Sequence, residues 1–434
     1  MNKAIQLIMH WTVRPNLVLA DQVIVSGSKF AASVLVARSL GPAMFGVFVL
    51  MQIVQLYTNG FQAALVISPM LVGAPRLEGK EQQNYLSGMF ALQIILSVLL
   101  SMVIAVIGFA THLIAPRLDH ELINPASLLA MTAALVAFQF QDWQRRCFFV
   151  SGSSHGAFII DIINYVPQLF VIAVADHMGL LSINLIFLIM AMTSAASFFA
   201  GNLVNRVQPN FRHGLVALQR EWRACRDYLL SWQIMWAGTQ GTLLIGTAFL
   251  GQQALGGIRA AQNLMGPLTT LFQALDNVVP VNAAKRYSKY GMDGMLSYMR
   301  SVIVRGSVIL IPIIALIVAF GAPLIRLLYG ERYLAYASLI VWQAVYVLIQ
   351  FYVNQFYYFF RVVSATRAIF LSCCVAAAVS TTMTLLLVRH YQATSVVAAN
   401  VCGTLAGLTC AMLLAASILR RHSNTSLVPV TEPT

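Results

Sequence analysis

KFAASVLVARSLGPAMFG, residues 29–46, is the end of one apolar helix, a very short turn and the start of another. Its breakers are Gly41-Pro42, and the next helix opens at Phe45-Gly46. The pattern returns 210 residues later. The run Leu40-Gly41-x-x-x-x-Gly46 is matched by Leu250-Gly251-x-x-x-x-Gly256, and Pro69 after Val-Ile-Ser is echoed by Pro280 after Asn-Val-Val, at a shift of 211. A nearly constant shift across two helices is what an internal duplication leaves behind, and many transporters are built from such repeats.

Working outward, the hairpin is the first of six. The 434 residues are 59% hydrophobic and 9% charged, with mean hydropathy +0.77; a soluble protein carries about 25% charged residues. This is a polytopic membrane protein of all-α class. A span needs about 20 mostly apolar residues, and twelve segments qualify: 17–37, 44–68, 85–109, 126–149, 156–176, 181–203, 228–250, 254–279, 301–321, 334–359, 363–388 and 394–419. Of the 27 lysines and arginines, 20 fall on inner segments and 5 on outer ones when the N-terminus is inside. That bias predicts both termini in the cytoplasm. Residues 1–203 then form one six-helix bundle, 204–227 a basic amphipathic cytoplasmic linker, 228–419 a second bundle and 420–434 a disordered tail. The linker carries Leu215, Leu218 and Trp222 on one face and Arg220, Arg223 and Arg226 toward another, the pattern of a helix lying at lipid headgroups or docking a partner. Met1–Asn16 contains no cleavable leader pattern, so the first span is expected to act as an uncleaved start-transfer segment.

The formal charge of +13 follows this topology and does not indicate nucleic acid. Six cysteines show no CxxC pair and no histidine at ligand spacing, which argues against a zinc site or disulfide frame. There is no P-loop, GxSxG or HExxH, and no outer connection exceeds about fifteen residues. A hydrolytic or ATP-driven site is not visible, so the expectation is no enzyme, no cofactor and no metal.

Ionisable residues within spans are expensive, about +2.5–3.5 kcal/mol on insertion scales, and are functional candidates by default. Lys29 lies near the middle of the first span. Asp21 is eight residues earlier, about 12 Å along the axis and on nearly the same face. Two readings are open: a cation lining a cavity, or a structural pair with Asp21. Arg259 lies near the outer end of the eighth span, where it either snorkels to headgroups or lines a cavity. The eighth span has a polar stripe of Arg259, Gln262, Asn263, Gly266, Thr269, Gln273 and Asp276; the second has Gln52, Gln55, Asn59 and Gln62; the tenth adds Gln343, Gln350, Asn354 and Arg361. Such stripes either glue helices together or wall a wet cavity. Asp142, Asp161 and Asp276 lie toward inner helix ends. Asp161 and Asp276, with Asp21, are candidates for ion coupling or structural pairing, while Asp142 beside Arg145 and Arg146 reads as an interfacial residue.

Ser26-Gly-Ser-Lys-Phe30, then Ala37-Arg38-x-Leu40-Gly41-Pro42-x-x-Phe45-Gly46-x-Phe48, and later Leu255-Gly-Gly-Ile-Arg-Ala-Ala-Gln-Asn263 resemble the polysaccharide flippases of the multidrug/oligosaccharidyl-lipid/polysaccharide exporter superfamily, those of O-antigen included. The resemblance implies a carrier of undecaprenyl-pyrophosphate-linked saccharides across a bacterial inner membrane. Two six-helix halves would form a V around a cationic cavity and open alternately to either side. It also implies that Lys29 and Arg259 neutralise phosphate while Gln and Asn bond sugar hydroxyls; Arg38 matches the family hairpin, but its place at the outer turn with Gly41 and Gly46 favours a structural or gating role. Membrane lipids and a polysaccharide polymerase or export machinery would be the partners. A cation-coupled drug antiporter of the same superfamily, a membrane-bound saccharide-processing enzyme and an assembly scaffold are the competing readings.

Overall fold

The computed structural model describes residues 15–114 and 125–425. Among them every regular element is a helix. In chain order these are α1 (Pro15–Gln62), a π-turn (Ala63–Ile67), α2 (Ser68–Gly73), α3 (Gly79–Ile114), α4 (Pro125–Val150), α5 (Ser154–His177) and α6 (Ile183–Asn205). There follow α7 (Phe211–Leu250), α8 (Gln252–Leu264), α9 (Gly266–Ala319), α10 (Gly321–Tyr329), a 3₁₀ turn (Glu331–Tyr336), α11 (Leu339–Val362) and α12 (Thr366–Thr425). The twelve expected segments fall on these helices apart from a few residues, among them Met265, which divides the expected eighth span 254–279 between α8 and α9. Seven stretches of the described residues are long and apolar enough to cross a membrane by themselves, among them 57-, 42- and 55-residue runs. Three helices are broken internally, at Gly41, Gly291 and Gln392. The tail beyond Thr425 lies outside the described residues.

The breaks follow from backbone sterics. Gly41 sits at φ 80°, ψ 176°, and Gly251, 210 residues later, at φ 78°, ψ 177°. Only glycine occupies this region comfortably, and Pro42 cannot donate to the preceding turn. The chain therefore ends one helix and restarts another within a residue, with the same torsions at both repeat-related positions. Elsewhere helices open on caps that satisfy free N–H groups: Ser153 Oγ accepts from Gly156 N at 3.2 Å, and Ser182 Oγ from Leu185 N at 3.3 Å.

The chain divides into two compact units, Met1–Gln233 and Ile234–Thr434. In the first, α1 packs on α5, and α4 runs along α6. Its core is aromatic: Phe90 stacks on Trp143 at 4.5 Å between centroids, with Phe140 and Phe198 closing around them. In the second, α11 packs between α9 and α12 around Val279, Met295, Tyr358 and Phe360. The unit boundary falls inside α7, because the basic segment 211–227 and the expected span 228–250 form one continuous helix. The start of α7 is docked on α3: Asn210 N donates to Ser87 O at 2.9 Å, and a β-carbon on Gly88 would meet Gly214 N at 2.8 Å.

One face of α3 exposes Val98, Leu99, Met102, Val103, Val106, Ile107 and Phe109, each about half exposed or more. A contiguous apolar face of this extent has no place in water. With the helices' backbone bonded internally, hydrocarbon is the solvent that suits it.

Candidate functional site

The first unit holds a buried charge cluster. The first half of α1 contributes Asp21 and Lys29, α4 contributes Phe138, Gln141 and Arg145, and α5 contributes Asp161 and Tyr165. The Arg145 guanidinium lies between two carboxylates: Nη2 donates to Asp21 Oδ2 at 2.6 Å, and Nε pairs with Asp161 Oδ2 at 2.6 Å. The second contact is an ion pair whose N–H direction misses a hydrogen-bond angle. Gln141 Nε2 donates to the other Asp161 oxygen at 2.8 Å. Asp21 and Asp161 are 3% and 1% exposed. Two carboxylates against one guanidinium leave an excess negative charge, and buried charge of that kind is tolerated only when it is compensated.

Lys29 supplies the fourth charge. Its side chain is exposed, with Nζ 5.6 Å from the centroid of Phe138 and 5.2 Å from that of Tyr165. It forms no carboxylate pair among the described residues. Of the two readings of Lys29, the direct pair with Asp21 is replaced by Arg145–Asp21. The ammonium instead stands between two aromatic faces, a cation–π setting worth about 0.5–1 kcal/mol at an exposed site.

Beside this cluster, buried amides tie α1, α3 and α4. Gln62 Nε2 donates to the Gln139 carbonyl at 2.7 Å, and Ser97 Oγ to Gln139 Oε1 at 3.0 Å. Gln62 thus serves as a helix–helix tie. Gln52, Gln55 and Asn59 are half-buried, and Asn59 Oδ1 has no partner. Arg38 is exposed ahead of the Gly41 break, and Gly46 is buried in the helix that follows.

In the second unit, Arg259 Nη1 donates to Gln262 Oε1 at 3.2 Å, and Arg259 and Asn263 face the Tyr329 side chain of α10, itself 5.5 Å from Tyr333 between centroids. Asp276 is paired with Arg361 at 2.7 Å, both half exposed. Asn354 Oδ1 accepts from Gln350 at 2.9 Å. The side chain of Gln273 lies outside the described residues. Asp142 pairs with Arg146 at 3.4 Å one helical turn away.

The structure therefore gathers Asp21, Lys29 and Asp161 into one cluster, Arg259, Gln262 and Asn263 into a second, and Asp276 with Arg361 into a third contact. Sequence reasoning missed Arg145 and Gln141 in the first. Beside Arg146 near an inner helix end, Arg145 reads in the sequence as an ordinary interfacial charge. Its one sequence signal is spacing, since Gln141 and Arg145 are one turn apart on the same helix face. No group of three or more His, Cys, Asp or Glu side chains suited to a metal occurs among the described residues. The cysteines are all free. What the clusters offer chemically is two cations, Lys29 and Arg259, beside amide and phenol donors.

A sequence profile described as "Polysaccharide biosynthesis protein" matches residues 35–338. No individual curated protein matches the chain. Among solved structures, the lipid II flippase MurJ in an inward closed conformation superposes with a TM-score of 0.67 at 12% identity, covering 92% of this chain and 87% of that one. An inward-facing multidrug resistance MATE-family transporter of the MOP superfamily gives 0.72 at 14%, covering 98% of each. A MOP-superfamily transporter from Pyrococcus furiosus, described as having a binding pocket of reversed polarity, gives 0.63 at 12%, covering 96% and 98%. With its profile match spanning most of its length and its helices folding as theirs do, the chain is a multi-pass membrane protein that belongs to the polysaccharide biosynthesis protein family and shares the fold of the MOP-superfamily transporters.

Proposed function

We propose that the protein is a flippase that moves undecaprenyl-pyrophosphate-linked oligosaccharide across the bacterial inner membrane by alternating access, without catalysing a reaction, for O-antigen, capsule or exopolysaccharide assembly. The observation that carries this reading is Lys29, an exposed ammonium between Phe138 and Tyr165, while Asp21 and Asp161 are committed to Arg145. An ammonium that makes no direct carboxylate pair among the described residues, and only balances its cluster to neutrality, keeps its N–H donors for an anionic headgroup such as pyrophosphate. Arg259 is its counterpart in the second unit, and Gln52, Gln55, Asn59, Gln262, Asn263, Gln273 and Asn354 are donors for sugar hydroxyls. Both termini and the segment 204–227 lie on the cytoplasmic side, the two six-helix bundles are 1–203 and 228–419, and a polysaccharide polymerase or export machinery is the protein partner.

Lipid analysis of a deletion strain tests this. The expected outcome is completed lipid-linked repeat unit trapped on the inner leaflet, with surface polysaccharide gone. Unchanged pools and normal surface polymer would sink the reading. In a complemented strain, Lys29→Ala abolishes export at near-normal membrane level, and Lys29→Arg keeps part of it. Normal export by Lys29→Ala would remove the ammonium from the mechanism.

A second reading, a cation-coupled small-molecule antiporter, draws on the buried Asp21–Arg145–Asp161 cluster, since such a carrier needs carboxylates deep in one bundle. It expects efflux of cationic drugs from vesicles, lost in Asp161→Asn, with lipid-linked saccharide unaffected by deletion.

A further inference from the structure

The helix α9 carries a second cationic feature that the proposed transport site does not use. It breaks at Gly291, whose φ 66°, ψ −159° only glycine adopts readily. Across the break, the exposed Lys285, Arg286, Lys289 and Tyr290, with Asn282 on one side and Tyr298 on the other, line an open recess of about 490 Å³. That size lies within the roughly 300–1,000 Å³ of ligand pockets. Arg286 and Lys289 both stand over the Tyr290 ring, 5.8 and 5.1 Å from its centroid, a cation–π setting for each. None of the three cations is paired with a carboxylate among the described residues. From 280 to 305 there are five cations and one acid, Asp293. Asn282 and the tyrosines add neutral donors beside the charges. Val278 and Val281, each 53% exposed, leave an apolar strip on the same helix just before the recess, and the apolar run of the next span follows it.

We propose that this recess binds a phosphate carried on a membrane lipid. Three unpaired cations with phenol and amide donors match the charge and the oxygen acceptors of a phosphate. The exposed valines favour a ligand with acyl or prenyl chains over free phosphate. Two lipids carry that chemistry: an anionic phospholipid, and the pyrophosphate-linked carrier itself, in which case the recess is a docking point on the way to the transport site. Only the second source rests on the flippase reading.

The test uses purified full-length protein in nanodiscs of phosphatidylcholine alone, of phosphatidylcholine with phosphatidylglycerol, or of phosphatidylcholine doped with undecaprenyl pyrophosphate. Native mass spectrometry then counts the lipid retained. Wild type is expected to retain the anionic lipid selectively, and less so as salt rises. Each cation removed lowers retention about fivefold, and Lys285→Gln/Arg286→Gln/Lys289→Gln on the order of a hundredfold; Lys289→Gln alone gives the fivefold step should the triple variant fail to fold. Displacement of phosphatidylglycerol by undecaprenyl pyrophosphate assigns the site to the carrier, and the reverse assigns it to the phospholipid. Equal retention by wild type and variants, or capture of inorganic phosphate with no lipid preference, overturns the proposal. Export measured in the same variants separates the two ideas: lipid retained here by a protein that flips no saccharide leaves this site standing and removes the flippase reading.

Discussion

Arg145 holds two buried carboxylates apart and in place, so its removal is expected to be worse than the removal of either partner. Arg145→Ala leaves Asp21 and Asp161 facing each other with no cation between them, and stranding a buried charge costs about 3–5 kcal/mol. The expected readouts are a sharp drop in membrane level and in the thermal midpoint of the detergent-solubilised protein. Adding Asp21→Asn and Asp161→Asn to Arg145→Met should restore accumulation, because a neutral trio carries no such cost. A triple variant as unstable as Arg145→Ala would show that the guanidinium is needed for its packing and not its charge. Asp21, Lys29 and Asp161 were legible in the sequence because an acid or amine within an apolar run stands out. Arg145 was not, since an arginine beside Arg146 near a helix end looks like an ordinary interfacial charge. Its partners are 124 and 16 residues away, and no local spacing rule joins them.

The helices themselves were far easier to read. A membrane obliges each crossing to be a long apolar helix, so the apolar runs announce helices, although the expected eighth span, 254–279, is split at Met265 between α8 and α9. The connection 204–227 was harder: from sequence it is a separate surface helix, whereas it continues without a break into the span 228–250. Nothing in NFRHGLVALQREWRACRDYLLSW interrupts a helix, because the one glycine, Gly214, packs directly against Gly88. Gly88→Val should therefore detach the start of α7, with a limited-proteolysis site opening at 206–210; unchanged proteolysis would mean the contact is dispensable. At the breaks, torsion is what matters. Gly251→Ala meets no atom within 4 Å yet must adopt φ near +78°, at a cost of about 1–3 kcal/mol. Gly266→Ala, equally open but without that torsion, serves as the neutral control. Equal thermal midpoints for the two variants would discount the strain argument.

Taken whole, the chain distributes its positive charge so that alternate connections differ, and this can be checked without any transport assay. In a background free of the six native cysteines, Gln82→Cys and Ser288→Cys should react with a membrane-impermeant maleimide only after the cells are opened. Met178→Cys should react in intact cells. Labelling of Ser288→Cys from outside would invert the second unit and with it the cytoplasmic placement of the recess on α9. The duplication could be suspected from two short matches among abundant Leu and Gly, and the paired torsions at Gly41 and Gly251 give it a physical basis that spelling alone lacks. That pairing has a consequence for molecular history. Every single-base change in a glycine codon that alters the amino acid installs a β-carbon, and with it the same torsional cost. The two knees, like Gly330 at φ 88°, ψ 176°, are therefore expected to change slowly, and they are natural positions from which to align the halves with each other once the rest of the text has drifted.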